Sequence, residues 1–198
     1  MTGPAVPIRM QTRAVVRSLL ARTALELFAA QGYDETTVDE VAAAAGVSRR
    51  TLFNYFRSKE DLALSGLAEQ GEQIAARFAE RPDDEDIWVS LRAAFQVLDE
   101  IETAPEHRLA VVKLLFSNDS LRAGHAEKQA RWTDILAPLI ENRLPASPQR
   151  AFAARAIAAT GIVCLQTAMQ ELARLDGQGD AYALYDAAIA AVTGQPLA

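Results

Sequence analysis

At 198 residues, half of them apolar, the chain can bury a substantial core and is neither disordered nor fibrous. One cysteine, Cys164, excludes an internal disulfide and a Cys-rich zinc module, and two separated histidines, His107 and His125, give no start for a metal site; no cofactor is expected. The net charge of −6 is unevenly spread: residues 1–60 hold eight Arg and Lys against six Asp and Glu, the remainder twelve against twenty. This describes a mildly basic head on an acidic body, a bias that solvation alone also produces.

Residues 1–10, with two prolines and a glycine, read as a flexible arm. They lack the apolar run of a signal peptide, and no later stretch has roughly 18 uninterrupted apolar residues, so a cytoplasmic protein without a membrane partner is expected. Arg9 has two readings, a reach into a DNA minor groove or a solvated tail. From about Thr12 to Gln31, Val16, Leu19, Leu20, Ala24, Leu27 and Phe28 recur at three and four, the stripe of an amphipathic helix that Gly32 ends.

Thr37 begins a short helix with Glu40 at the spacing of a capping box, and Val38, Val41 and Ala42 supply its apolar face. Gly46 ends it, Ser48 caps a second short helix after a turn of about three residues, and this connection is that of a helix-turn-helix. In the second helix Leu52, Phe53 and Phe56 carry apolar bulk, with both phenylalanines read as core. Arg49, Arg50, Thr51, Asn54 and Tyr55 offer donors and acceptors, which predicts a DNA-recognition helix. Ser58 caps a fourth helix, Asp61 at the box position, running as a rod to about Ala79.

Arg81 to Asp86 breaks the pattern and is a candidate boundary; its acids read as a linker plus helix-start charge, or as an interaction tract. Helices follow over about Asp86–Glu102, Glu106–Phe116 and Ser120–Arg143, the last with Pro138 inside. Asn118-Asp119-Ser120 reads as a helix start rather than a glycosylation site. Between Pro148 and Leu175 apolar residues occur nearly all round, and Ala153, Ala154, Ala158, Ala159 and Gly161 permit close helix approach. A last helix carries Tyr182, Tyr185, Ile189 and Val192. Two covers suit these helices: the same two helices of a second copy, making a homodimer, or burial within one chain.

Against this background, Thr12 to about Leu64 resembles the amino-terminal domain of the TetR family of bacterial transcriptional regulators. The resemblance rests on Ala24, Leu27-Phe28, Gly32-Tyr33, Thr36-Thr37-Val38, Val41-Ala42, Ala45-Gly46-Val47-Ser48, Thr51, Phe53, Tyr55-Phe56 and Lys59-Glu60. It implies an all-α fold of about nine helices: a helix-turn-helix domain over 11–71 with its motif at 37–56, and a ligand-binding and dimerisation domain over 72–198. It also implies homodimers on palindromic double-stranded operator DNA, and a ligand-responsive repressor as the commoner case.

On the family's pattern and on chemistry, Thr37, Thr51, Tyr55 and Lys59 are expected on phosphates and Arg49, Arg50 and Asn54 on base edges, with Ser48 beside them at the helix start. For each arginine a phosphate contact or a solvated side chain is the rival reading. Trp88, Leu91, Phe95, Phe116, Trp132, Ile135, Cys164 and Met169 are candidates to line a pocket for a small lipophilic effector, or plain core. Gln166, Thr167 and Gln170 are polar anchors there or pairs across a dimer. No G-x-S-x-G, phosphate-cradling glycine loop or Cys/His pair occurs, so an enzyme is not expected. The remaining alternative is a helix-turn-helix protein controlled by a protein partner, or acting without a small ligand.

Overall fold

A computed structural model describes residues 8–101 and 105–195, less the side chains of 8–11, 14, 68, 105 and 107. The regular structure among them is helical throughout, in eleven segments: α1 (Ile8–Gln31), α2 (Val38–Ala44), α3 (Arg49–Phe53), α4 (Lys59–Ala63), α5 (Gly66–Ala79), α6 (Ile87–Phe95), α7 (Val97–Ile101), α8 (Pro105–Ser117), α9 (Asp119–Arg143), α10 (Arg150–Arg174) and α11 (Ala181–Thr193). The all-α expectation holds. Two compact units divide the chain, residues 1–66 and 67–198. Of the expected arm, residues 1–7 lie outside the description, while Ile8 to Met10 already belong to α1. The side chains of Arg9 and His107 lie outside it too.

The helix count exceeds nine because two expected helices are interrupted. The rod expected from Ser58 to Ala79 stops after α4 and restarts at Gly66. Leu62, Ala63, Leu64 and Ser65 are all buried, whereas a straight helix turns by roughly 100° per residue and cannot bury such a run against one core. Ser65 and Gly66 are also weak helix formers. Likewise the helix expected over Asp86 to Glu102 turns at exposed Gln96, so that both Phe95 and Val97 are buried.

Arg81 to Asp86 is no domain boundary but a turn inside the second unit. Glu85 pairs with Arg81 and accepts the Ser90 hydroxyl at 2.6 Å, and these two donors hold its carboxyl down to about 2. Arg143 donates to the Glu85 carbonyl at 2.7 Å, and Asp86 caps α6 by accepting from the Trp88 and Val89 amides. Asn118 caps α9 in the same way through the amides of Ser120 and Leu121, the helix start expected there.

In the first unit Leu20, Ala24 and Phe28 of α1 form a core with Val41, Ala42, Leu52, Phe56 and Leu62. In the second, Leu136 and Ile140 of α9, Ala154, Ala158 and Ile162 of α10, and Tyr185 and Ile189 of α11 are fully or nearly fully buried. Helix α10 is long and apolar enough by composition to cross a bilayer. Its row Ala154, Ala158, Gly161, Leu165 and Ala168 is instead buried against its neighbours, the pattern of a core helix.

Candidate nucleic-acid interface and the cavity of the second unit

Local hydrogen bonds set the helix-turn-helix. At the start of α2 the Thr37 hydroxyl accepts the Glu40 amide at 3.2 Å while the Glu40 carboxylate accepts the Thr37 amide at 2.7 Å, completing the capping box. That backbone N–H, with the Thr37 hydroxyl, holds the Glu40 carboxyl below the usual range. At its end Gly46 sits at φ +67, with its amide bonded to the Ala43 carbonyl and the Val47 amide bonded to that of Ala42. This is a Schellman motif, and the left-handed residue it requires is where glycine costs least. Ser48 then caps α3, accepting the Thr51 amide at 3.1 Å, its hydroxyl 2.8 Å from that of Thr51.

Helix α3 has only five residues, and one side is spent on packing: Leu52 and Phe56 are buried. Arg49, Arg50, Phe53 and Asn54 face outward as two pairs four residues apart. Phe53 is therefore not core: it is 42% exposed. It stands about a quarter-turn from Leu52, so a helix this short cannot bury both. With that spacing in view the sequence could have revealed it.

Each expected DNA-facing residue is accessible. Thr37, Ser48, Arg49, Arg50 and Asn54 are exposed; Thr51, Tyr55 and Lys59 are half-buried. The Arg49 guanidinium reaches Asp39 of α2 at 2.6 Å and lies 5.5 Å from the Phe53 ring centroid, so it is braced on both flanks. Arg13 of α1 donates to the Asn54 carbonyl at 2.8 Å and lies 4.9 Å from the Tyr55 ring, steadying the exit of α3. The Lys59 ammonium sits 4.2 Å from the Tyr33 ring centroid. Asp39, Arg13 and Phe53 are additions to the expected set. The partners of the first two are ten and forty-one residues away, beyond any local pattern.

The second unit holds an open cavity of about 470 Å³, lined by side chains of α7, α8, α10, α11 and the turn before α11. Leu109, Val112, Met169 and Leu172 supply apolar surface; Asp99, Glu106, Asp176 and Asp180 outnumber Arg108 at its wall. Of the eight residues expected to line a pocket, Met169 is the one at the wall of this cavity. Leu91, Phe95, Trp132 and Cys164 are buried, Trp88 and Phe116 are half-buried, and Ile135 is 38% exposed. The Trp132 indole donates to the Leu67 carbonyl at 2.6 Å, and Phe95 meets Tyr185 edge-on at 5.7 Å. These side chains fill space that the apolar count alone could not distinguish from a cavity wall. Gln166 is half-buried, Gln170 is exposed, and exposed Thr167 bonds the Val163 carbonyl of its own helix at 2.9 Å.

Residues 20–65 match the family described as bacterial regulatory proteins, tetR family. The chain is 40% identical over 96 residues to the HTH-type transcriptional regulator TcmR of Streptomyces glaucescens, a span of 48% of this chain and 42% of the relative. It is 31% identical over 127 residues to the transcriptional regulator MftR of Mycobacterium tuberculosis, 63% of each chain. In both cases the match spans less than two thirds of the relative. In fold the chain is similar to the transcriptional regulator FadR of Bacillus subtilis, crystallised with stearoyl-CoA, at a TM-score of 0.61 and 20% identity over 90% of this chain and 98% of that one. The class is thus defined: an all-α protein with an amino-terminal helix-turn-helix unit and a larger helical unit, similar to regulators rather than to enzymes. Residues 20–65 thus place the amino-terminal unit with the tetR family of bacterial regulatory proteins, which the chain resembles.

Proposed function

We propose that this protein is a cytoplasmic, homodimeric transcriptional repressor that binds a palindromic operator and releases it when a lipophilic small molecule occupies the second unit. The observation that carries the DNA reading is the outward row Arg49, Arg50, Phe53 and Asn54 on a helix held by the Ser48 cap and seated by Leu52 and Phe56. In this reading Arg49 and Arg50 take guanine O6 and N7, Asn54 takes adenine, and Thr37, Ser48, Thr51, Tyr55 and Lys59 position the backbone. Phe53 adds an apolar surface suited to a thymine methyl.

The regulatory half rests on the second unit. Its cavity falls in the size range of about 300–1,000 Å³ usual for small-molecule sites, and the similar fold of FadR holds stearoyl-CoA. A ligand that favours the DNA-incompetent state regulates through a coupling of about 1–3 kcal/mol. Dimerisation through α10 and α11 is supported by Phe152, Val163 and Val192, which stand 76%, 57% and 63% exposed on these helices. The rival reading, control by a protein partner without a small ligand, draws on the dense packing of Leu91, Phe95 and Trp132 where a pocket was expected.

The test begins with duplexes selected from random DNA by the purified protein. Arg50→Ala is expected to weaken binding to the selected site by about 1–3 kcal/mol and to relax preference at one base pair. Fluorescence anisotropy at fixed salt measures both; equal loss on selected and random duplex overturns the base-reading role.

A further inference from the structure

Arg49 and Arg50 open α3 with the same charge, yet they are held differently. The Arg49 guanidinium donates through Nη1 to the Asp39 carboxylate of α2 at 2.6 Å and lies 5.5 Å from the Phe53 ring centroid. Arg50 is exposed, and its side chain has no ion pair or hydrogen bond among the described residues.

Stability explains neither the position of Arg49 nor its pairing. A cation in the first turn of a helix opposes the helix dipole, and α3 has no acid in that turn to offset it. The side chains of Arg49 and Asp39 are 60% and 62% exposed, so water screens their attraction and the pair adds little. Nor does α2 need Asp39 in order to start. Its capping box is closed by Glu40, whose carboxylate accepts the Thr37 amide at 2.7 Å and the Thr37 hydroxyl at 2.8 Å. Where the Arg22–Glu26 pair stays within α1, the Asp39–Arg49 pair ties α2 to α3.

An acid beside the exposed row of α3 also weakens binding to any polyanion, because it repels phosphates whatever the base sequence. A penalty common to all duplexes is useful only if it separates one sequence from the rest. The geometry provides that separation. With Nη1 on Asp39, Nε and Nη2 remain as two donors in one plane, the fork that matches guanine O6 and N7. Asp39 on one flank and Phe53 on the other keep this fork from swinging to a phosphate, which every duplex offers. Arg50, unbraced, is free to turn to either.

We infer that Asp39 is a positioning residue that sets sequence specificity: it holds Arg49 on one base pair in each half-site and away from the phosphates. This rests on the DNA-binding reading and deepens it, since the discriminating unit becomes a pair of residues from both helices of the helix-turn-helix.

The test compares the full chain with its Asp39→Ala, Arg49→Ala and doubly substituted variants. Fluorescence anisotropy at fixed salt measures binding to the selected duplex, to that duplex with each base pair changed in turn, and to random duplex. The natural protein is expected to disfavour a change at one base pair per half-site by about 5–150-fold through Arg49. Asp39→Ala is expected to reduce that discrimination by at least about fivefold, to leave the other positions as they are, and to bind random duplex no more weakly. Arg49→Ala is expected to relax the same base pair, and adding Asp39→Ala to it to relax that pair no further. The melting temperature of Asp39→Ala is expected to stay within about 4 °C of the natural protein's. Equal weakening on every duplex, relaxation at a base pair that Arg49→Ala leaves strict, further relaxation in the double variant, or a larger drop in melting temperature overturns the assignment. Discrimination unchanged at every position overturns it too and leaves the DNA reading standing; failure to select any DNA removes both.

Discussion

Phe53 and Phe56 have the same chemistry and opposite fates, three residues apart at the end of one short helix. Phe56 is 2% exposed beneath α3, with the Arg17 guanidinium 5.0 Å from its ring centroid, whereas Phe53 lies in the open beside Arg49. Truncation separates them. Phe56→Ala is expected to cost about 3–5 kcal/mol of unfolding free energy by emptying a packed site. Phe53→Ala, on the surface, is expected to stay within about 1 kcal/mol and to weaken binding to selected duplexes. Denaturant midpoints and anisotropy measure the two effects; a large stability loss at Phe53, or none at Phe56, contradicts the division. Asp39 belongs to the same scale. It holds Arg49 with both side chains about 60% exposed, so it adds little to stability but restricts where the guanidinium can point.

At the scale of elements, the helix-turn-helix is assembled from bonds that span three to five residues. The Thr37–Glu40 box, the Schellman turn at Gly46 and the Ser48 cap follow one another within fifteen residues, so α2 and α3 are mutually placed before any distant contact is made. Gly46 is the most sensitive link. Space for a Cβ is open there, nothing lying within 4 Å, so the cost of Gly46→Ala comes from backbone conformation alone. It is expected to be about 1 kcal/mol, with α2 and α3 reoriented relative to each other. A thermal melt gives the first quantity, and operator affinity falling further than stability accounts for gives the second. Gly71 shows the opposite case: a Cβ there would stand 2.3 Å from the Trp132 ring, so this glycine is required by the close approach of α5 and α9 rather than by its φ.

For the whole molecule, the second unit of one chain leaves Phe152, Val163 and Val192 uncovered on α10 and α11. Isolated apolar residues on a surface are ordinary; three on the two helices expected to pair suit a self-complementary two-fold contact. Phe152→Glu combined with Val163→Arg is expected to shift sedimentation from dimer to monomer while leaving the helical circular-dichroism spectrum unchanged. Affinity for a palindromic duplex should fall with it by at least tenfold, because two heads no longer act together. An unaltered dimer would place the contact elsewhere.

By itself the sequence determined what depends on near neighbours. The caps at Thr37, Ser48, Ser58 and Asn118, the glycine at 46, the amphipathic α1 and the polar edge of α3 are written in residues three or four apart, where side chain and backbone meet whatever the rest of the chain does. Tertiary structure alone decided the rest. It broke the helix at Leu64–Ser65 so that four successive residues could be buried, and folded Arg81 to Asp86 into the second unit around Arg143. It also buried Leu91, Phe95, Trp132 and Cys164, four of the eight residues expected to line a pocket. In each of these an apolar or charged side chain takes its role from what a remote segment sets against it, and periodicity within one helix carries no record of that partner.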